Sequence, residues 1–501
     1  MNGLRALSGE PSGAAVRSAL ARPSAVPRIP GPFAFSPALI PGLVLAGDLA
    51  AILAAGLSSW VWLPDIGADR VRAYVFCIAF LLLAAPALMS RAGLYEVEAI
   101  MRPVGRADGI AIALALAFLT FLTIAFSLKV SEQYSRLWIY AFGGSSLLLV
   151  IASRVGICRI AESLGRRGLV GRNVAVLGTG EQARRFLRRA GETRLHFARI
   201  GGVFDPDAEE ALPLVEGRPV LGGPEALVEA ARRGEIDDVV VALPWQENER
   251  LGATVATLRT LPVDVYIASD LIGYEVPLQP AHGEFLRLPL FEVVKRPIAG
   301  WNSVAKRVLD LLLGSVILVV SAPLLALIAL AIRLDSPGPV LFRQARLGFN
   351  NRAFRIYKFR SMRHEAAPVA PADGFERQAT RDDPRVTRVG RILRRTSLDE
   401  LPQLLNVLGG SMSLVGPRPH ALGHNAEYAR QIRGYFARHR VKPGITGWAQ
   451  VNGLRGETAR VGLMRERVRH DTYYADNWSV LFDLRILVLT AFVVLFQKSA
   501  Y

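Results

Sequence analysis

Apolar residues along this chain fall into two kinds of run. Four are long and nearly uninterrupted, at about residues 38–60, 73–90, 108–128 and 137–155. Each is close to the ~20 residues a helix needs to cross a bilayer. From residue 172 the runs shorten: "RNVAVLGTGEQARRFLRRA" reads as a strand, a glycine turn and an amphipathic helix. "RIGGVFD", "DDVVVALP" and "VDVYIAS" repeat the strand signal between helical stretches, an alternation that predicts an open parallel sheet. A fifth long run, "VLDLLLGSVILVVSAPLLALIALAIRLDS" at 308–336, carries Pro323 near its middle, where the missing N–H interrupts the helical ladder. Beyond it, "VLFRQARLGFNNRAFRIYKFRSM" alternates like two strands about Asn350-Asn351, a hairpin signal. An Ala/Pro-rich loop follows at 365–374, and 480–497, interrupted by Asp483 and Arg485, reads as an interfacial helix.

Charge orients these runs. Arg17, Arg22 and Arg28 precede the first, Arg91, Arg102 and Arg106 separate the second from the third, and Arg154, Arg159, Arg166 and Arg167 follow the fourth. The positive-inside rule then puts both ends of a four-helix bundle in the cytoplasm. Lys306 and Arg307 before the fifth run and Arg333 after it make both its ends cytoplasmic too. A helix that enters the bilayer, bends near Pro323 and returns fits that pattern, with a straight fifth span as the alternative. Residues 1–36, rich in Pro, Ala, Ser and Gly, read as a flexible basic tail.

The expected organisation is a transmembrane region over 37–160, a Rossmann-like α/β domain over 170–295, and an α+β domain over 303–501 that begins with the re-entrant helix at 308–334. A composition that is 51% hydrophobic over 501 residues agrees with membrane segments. The net charge of +17 suits an anionic membrane face or a phosphate-rich substrate. The basic residues are dispersed, without zinc-finger spacing or an RNA-binding aromatic signature, which argues against nucleic acid. Cys77 and Cys158 lie in or beside apolar runs, so a disulfide framework is not expected. Isolated histidines such as His364 read as surface or packing residues. Gly178 and Gly180 are candidates to admit a nucleotide phosphate at a helix N-terminus. The next acid after the second strand, Asp205, lies past the usual ribose-binding spacing, and no hydride-transfer machinery follows.

"RRTSLDELPQLLNVLGGSMSLVGPRP", from Arg394 to Pro419, sets Asp399 beside Glu400. Ser397 and Glu400 fit an S-x-x-E capping box, but with Ser397 as N-cap, Pro402 would occupy a position that wants an amide. A helix starting near Asp399 instead places that carboxylate where free amides and the helix dipole attract phosphate. Arg394, Arg395 and Arg418 add positive charge nearby. A carboxylate there could hold Mg²⁺ or attack an electrophilic phosphorus. Capping and catalysis both stand on these residues alone.

The same stretch, with "KRVLDLLL", "FRQARLGFNNRAFRIYKFRSM", "RHRVKPGITGWAQVNGLRGET" and "DTYYADNWSVLFDLRIL", resembles the bacterial sugar transferase family of monotopic polyprenyl-phosphate phosphoglycosyl transferases. The resemblance covers about 303–501, and the upstream regions are similar to those of the family's large members. It implies transfer of a sugar 1-phosphate from a UDP-sugar to undecaprenyl phosphate at the cytoplasmic face of the bacterial inner membrane. UMP is released, in the first membrane step of exopolysaccharide, capsule or O-antigen repeat-unit synthesis. It implies Asp399 as the nucleophile of a covalent phosphosugar intermediate, Glu400 as its dyad partner, Mg²⁺ on the pyrophosphate with Asp399 as a ligand, and a homodimer. Lys358, Arg360, Arg394, Arg418, Lys442, Gly444, Thr446 and Trp448 become candidates to hold the substrate, Trp448 by stacking or simply by packing. "GWAQVNGLRGET" and the terminal Ser499-Ala-Tyr501 look more like enzymes using UDP-glucose than UDP-galactose. Two positions depart from the family pattern: Ala322 separates Ser321 from Pro323 at the membrane break, and Ser411 stands where most members carry an acid. The rival readings are a glycosyltransferase that moves the sugar alone, an NAD-dependent epimerase or dehydratase centred on Gly178, and a non-enzymatic scaffold for polysaccharide assembly.

Overall fold

A computed structural model of the chain describes residues 31, 33–61, 68–192, 197–207, 214–269, 290–363, 384–420, 422–454 and 461–496. His364, the loop at 365–374, the terminal Ser-Ala-Tyr and most of the basic tail lie outside them. The first four apolar runs form helices α1 (Ile40–Val61), α2 (Ala68–Arg91), α3 (Ala107–Ser127) and α4 (Arg136–Arg166). Their core is aromatic: Tyr74 packs edge-on against Trp138, Phe121 edge-on against Tyr134, and Trp138 tilted against Phe142. The buried Arg154 and Asp48 are paired. Arg154 of α4 lies 2.7 Å from Asp48 of α1, and Tyr95 donates to the same carboxylate at 2.9 Å. Neither of these two charges is left uncompensated in the interior of the bundle.

Next come β1 (Arg172–Leu177), α5 (Glu181–Glu192), β2 (Ala198–Phe204), α6 (Pro224–Arg233), β3 (Asp238–Val241), α7 (Asn248–Leu258), β4 (Asp264–Ala268) and β5 (Leu290–Val294). The sheet order is β2-β1-β3-β4-β5, parallel except for β5, which runs antiparallel to β4. Every residue of β1 and β3 is buried, as strands covered on both faces by helices must be. At the end of β1, Gly178 has φ +138°, and a Cβ there would come within 2.4 Å of the Ala242 carbonyl oxygen. Glycine is therefore required at 178 by the neighbouring strand's backbone. Gly180 borders open space. Asp205 accepts from the Asp207 amide of its own loop at 3.0 Å and from the Thr179 hydroxyl of the glycine turn after β1 at 3.4 Å.

The fifth apolar run lies in α8 (Gly300–Asp335), a 36-residue helix with Pro323 inside it. The expected break is thus not an interruption of helix. Ser321 Oγ donates to the carbonyls of Ile317 and Leu318, two residues and one residue before the Val319 carbonyl that Pro323 leaves without its helical donor. Among the described residues five helices, α8 included, are long and apolar enough to cross a membrane. Both ends of α8 are fastened to the domain that follows. Near its start, Lys306 reaches Asp483 at 2.5 Å and Arg307 donates to the carbonyls of Val407 and Leu408 at 2.7 Å. Near its end, Ile328 and Ile332 pack with Phe359 and Leu393. Between those ends Val319 and Val320 are about three-quarters exposed.

The last domain contains the hairpin β6 (Leu341–Leu347)–β7 (Ala353–Phe359), helices α9 (Arg388–Thr396) and α10 (Gln403–Leu408), and the parallel pair β8 (Ser413–Val415) and β9 (Gly444–Thr446). It closes with α11 (Val461–Asp476) and α12 (Val480–Phe496). The strands are joined through a five-residue connection, 348–352, in which Asn350 and Asn351 are both left-handed with φ 54° and 57°, a conformation asparagine tolerates better than most residues. Asp483, one of the charges expected to make α12 interfacial, is fully buried on the Lys306 ammonium and the Tyr474 hydroxyl.

Candidate active site

The site is built where α9 stops. Thr387 caps the start of α9 by accepting from the Gly390 amide at 2.9 Å. Gly390 lets the helix lie against Ser361 at the end of β7, since a Cβ there would meet the Ser361 carbonyl at 2.1 Å. The helix ends at Ser397, which is left-handed at φ 58°. A single 3₁₀ turn, Leu398–Glu400, then leads to Pro402 and α10. The capping box therefore does not form. Ser397 closes the preceding helix, its side chain caps nothing, and Pro402 precedes α10, where its missing amide costs no helical bond. Asp399 sits in a turn between two helices.

Asp399 and Glu400 are adjacent, buried at 9% and 7% exposure, and differently held. Glu400 is clamped: Lys358 of β7 donates to Oε1 at 2.7 Å, and Arg418, just beyond β8, donates to Oε1 at 2.7 Å and Oε2 at 3.0 Å. Burial alone would raise the Glu400 carboxyl, but Arg418 and Lys358 outweigh it and hold it well below the usual carboxylate range. The Asp399 carboxylate accepts no hydrogen bond from the described residues. Burial pushes it up, with Glu400 adding repulsion, while Lys358, Arg418 and Arg394 pull down without cancelling the rise. One carboxylate is fixed and charged; its neighbour is desolvated and available, the condition of a nucleophile rather than of a structural ion.

Of the candidates read from the sequence, Asp399, Glu400, Lys358 and Arg418 converge, with Arg394 beside them and its Nε on the Ser361 hydroxyl at 3.0 Å. The others are built into the scaffold. Arg360 donates to the carbonyls of Ile332, Ser336 and Pro337, so it caps the carboxyl end of α8 instead of reaching toward a substrate. Thr446 is buried and bonds Thr490 of α12 at 2.7 Å. Gly444 lets β9 approach Gly416, where a Cβ would lie 2.1 Å from an amide nitrogen. Trp448 packs edge-on against Phe482, with the Arg485 guanidinium over its ring. Lys442 is largely desolvated, which lowers its ammonium, and it faces Arg307, Asp310 and Lys306 at the base of α8. Ser411 bonds Asn406, whose side chain in turn holds the Tyr357 amide and the Arg355 carbonyl of β7. The position without the usual acid thus supports the strand that carries Lys358.

Sequence reasoning missed a buried support behind Arg418. Arg438 donates to the Arg418 carbonyl at 2.7 Å and pairs with Asp471 of α11 at 2.8 Å. His420 lies between Arg438 and Arg467; burial and those cations hold it far below the ordinary histidine range, hence neutral. The available signal was a dense run of basic residues, "RHR", inside an otherwise mixed segment, facing an acid at the helical spacing of α11. Among the described residues no three His, Cys, Asp or Glu side chains gather as a metal site.

Comparison with known proteins follows this geometry. The family model described as bacterial sugar transferase matches residues 301–497, and one described as a CoA-binding domain matches 90–269. The UDP-glucose:undecaprenyl-phosphate glucose-1-phosphate transferase of Escherichia coli K12 is 40% identical over 372 residues, covering 73% of this chain and 76% of the relative. The enzyme of the same name from Xanthomonas campestris is 38% identical over 388 residues, 77% and 79% of the two chains. The undecaprenyl-phosphate galactose phosphotransferase of Salmonella typhimurium is 29% identical over 393 residues, 74% and 77%.

Proposed function

The chain belongs to the bacterial sugar transferase family, and from that premise we propose that it transfers glucose 1-phosphate from UDP-glucose to undecaprenyl phosphate, releasing UMP. The observation that carries the chemistry is the free, desolvated Asp399 carboxylate beside a clamped Glu400. An Asp399 oxygen attacks the phosphorus that bears glucose, and the bond to the bridging oxygen breaks, so that UMP leaves with the electron pair. Glucose phosphate is then held on Asp399 as an acyl phosphate. An oxygen of undecaprenyl phosphate attacks the same phosphorus, freeing the Asp399 carboxylate and forming undecaprenyl diphosphate glucose. Lys358, Arg418 and Arg394 offset the charge that develops on the phosphoryl oxygens.

Glu400 is committed to two cations, so Asp399 is the carboxylate that would hold Mg²⁺, an ion that takes few protein ligands beside substrate phosphates. The ion would supply neutralisation of the departing phosphate.

The same reading places four spans in the bacterial inner membrane and makes α8 re-entrant, with the catalytic domain on the cytoplasmic face. Its support is that both ends of α8 are fastened to one domain while Val319 and Val320 between them are bare. A helix lying flat on the domain would bury that middle. A helix that dips and returns holds the site at the boundary where a lipid phosphate and a water-soluble nucleotide meet. UDP-galactose is the second reading, favoured less because the named galactose enzyme is 29% identical and the named glucose enzymes about 40%.

The test is nucleotide release by the purified protein in vesicles containing undecaprenyl phosphate. UMP formed with UDP-glucose, and slowly or not at all with UDP-galactose, is expected. UDP as the product would refute phosphoglycosyl transfer in favour of transfer of the sugar alone. Protein quenched without the lipid acceptor should carry one hexose phosphate, absent from Asp399→Asn.

A further inference from the structure

The α/β domain and the catalytic domain meet at one polar joint. Helix α6 ends at Gly234, left-handed at φ 72°, which leaves its last carbonyls pointing outward. Those carbonyls are taken by the tip of the β6–β7 hairpin. Asn350, 6% exposed, donates its side-chain amide to the carbonyls of Ala231 at 3.0 Å and Arg232 at 2.9 Å. Arg352 donates to the Arg233 carbonyl at 2.6 Å, and its guanidinium lies 3.2 Å from where a Cβ on Gly234 would be. A cation at a helix carboxyl terminus also meets the negative end of the helix dipole. The joint therefore links residues 231–233, inside the segment that matches the CoA-binding family model, to residues 350–352, inside the sugar transferase match.

Both cations that clamp Glu400 trace to that tip. Lys358 is on β7, six residues beyond Arg352, in a strand held by unbroken register with β6 from Leu347↔Ala353 to Phe342↔Lys358. Arg418 is reached from the other side of the same turn. Asn351 Oδ1 bonds His439, whose neighbour Arg438 donates to the Arg418 carbonyl. Burial, Arg438 and Arg232 push His439 down to about 3, so a neutral ring meets the Asn351 oxygen at ordinary pH.

We propose that Asn350 and Arg352 are positioning residues of the active site, and that the α/β domain, docked through the end of α6, sets the placement of Lys358 and Arg418 around Glu400. This rests on the function proposed above only for its turnover readout. A buried, rigid clamp is sensitive to its supports, and a displacement of about 1 Å at a reacting group costs on the order of 100-fold in rate.

The experiment uses the full-length protein in vesicles, with Arg352→Ala, Asn350→Asp and Arg352→Lys. Asn350→Asp keeps the left-handed turn preference but replaces the donor with an oxygen that repels the two carbonyls. Arg352→Lys keeps a charge and one donor. Amide exchange is read at three places: the joint (231–235 and 349–352), the active-site turn (398–401) with the Arg418 loop, and β1–β4 as reference. Exchange at the turn and loop faster by about tenfold in the first two variants, with UMP release down about tenfold or more and Arg352→Lys largely restored, is the expected result. Faster exchange confined to the joint overturns the proposal whatever the turnover does, as does faster exchange at the turn with turnover within twofold of the unsubstituted protein. If the unsubstituted protein releases no UMP, the function reading fails while the exchange arm still decides whether the domains are coupled.

Discussion

Two buried clusters in this molecule each set an arginine among carboxylates, and they differ in one respect. At the amino ends of β1, β3 and β4, Arg172 bonds both Asp238 and Asp264, and Asp264 also accepts from the Arg296 amide. At the 3₁₀ turn, Lys358 and Arg418 both bond Glu400, and Asp399 is left over. In the first cluster one guanidinium serves two carboxylates, burial pushes Asp238 up to about 8 so that it keeps its proton at neutral pH, and the bonds tie three strands together. In the second, two cations serve one carboxylate, and its neighbour accepts no hydrogen bond from the described residues. Burial of acids with bases is therefore not what marks a catalytic site. A buried carboxylate in a cationic surrounding that accepts no hydrogen bond is the sharper sign.

The contrast can be tested by substitutions at both clusters. Asp399→Asn should reduce UMP release by on the order of 10⁴-fold or more, and residual turnover near normal would remove Asp399 from the chemistry. Arg418→Met leaves Glu400 buried with one cation; steady-state kinetics should show kcat lower by about 10²–10³-fold. The pH dependence of turnover should have its acid limb above 3.8, because the Asp399 carboxyl is raised from that value and must be ionised to attack. Activity is thus present above the raised value and lost as pH falls through it. Glu400→Gln, which removes the repelling charge, should move that limb down. At the other cluster, Arg172→Lys should cost about 1–2 kcal/mol in denaturant unfolding with turnover per folded molecule unchanged; a loss of turnover instead would erase the distinction drawn between the clusters. Trp448→Phe, which keeps the packing against Phe482, should change kcat/KM less than about threefold.

Much of this was legible locally. The first four long apolar helices, the alternation of strand and helix, the hairpin about Asn350-Asn351 and the Asp399-Glu400 pair all follow from periodicity, glycine and proline chemistry, or a resemblance carried by short motifs. Where the reading failed, the deciding partner was distant. Arg360 looks like a phosphate ligand beside Lys358, but the carbonyls it caps belong to the end of α8 and the two residues after it, 23–28 residues earlier. Asp483 looks like a polar interruption of an interfacial helix until Lys306, 177 residues away, is placed on it. Ser397 fits a capping box in spacing, yet the backbone there is left-handed and ends one helix instead of starting another.

From the amino-acid order alone came the residue types: which runs are apolar enough for lipid, where the chain must turn, and that two acids stand together among arginines. These are matters of solvation and local backbone preference, and they act over a few residues. Which acid is held and which is free, and that a helix end of one domain is capped by a hairpin of another, were decided by tertiary structure. Hydrogen bonds and ion pairs are directional and short, so a side chain's role depends on what folding brings within about 3 Å of it.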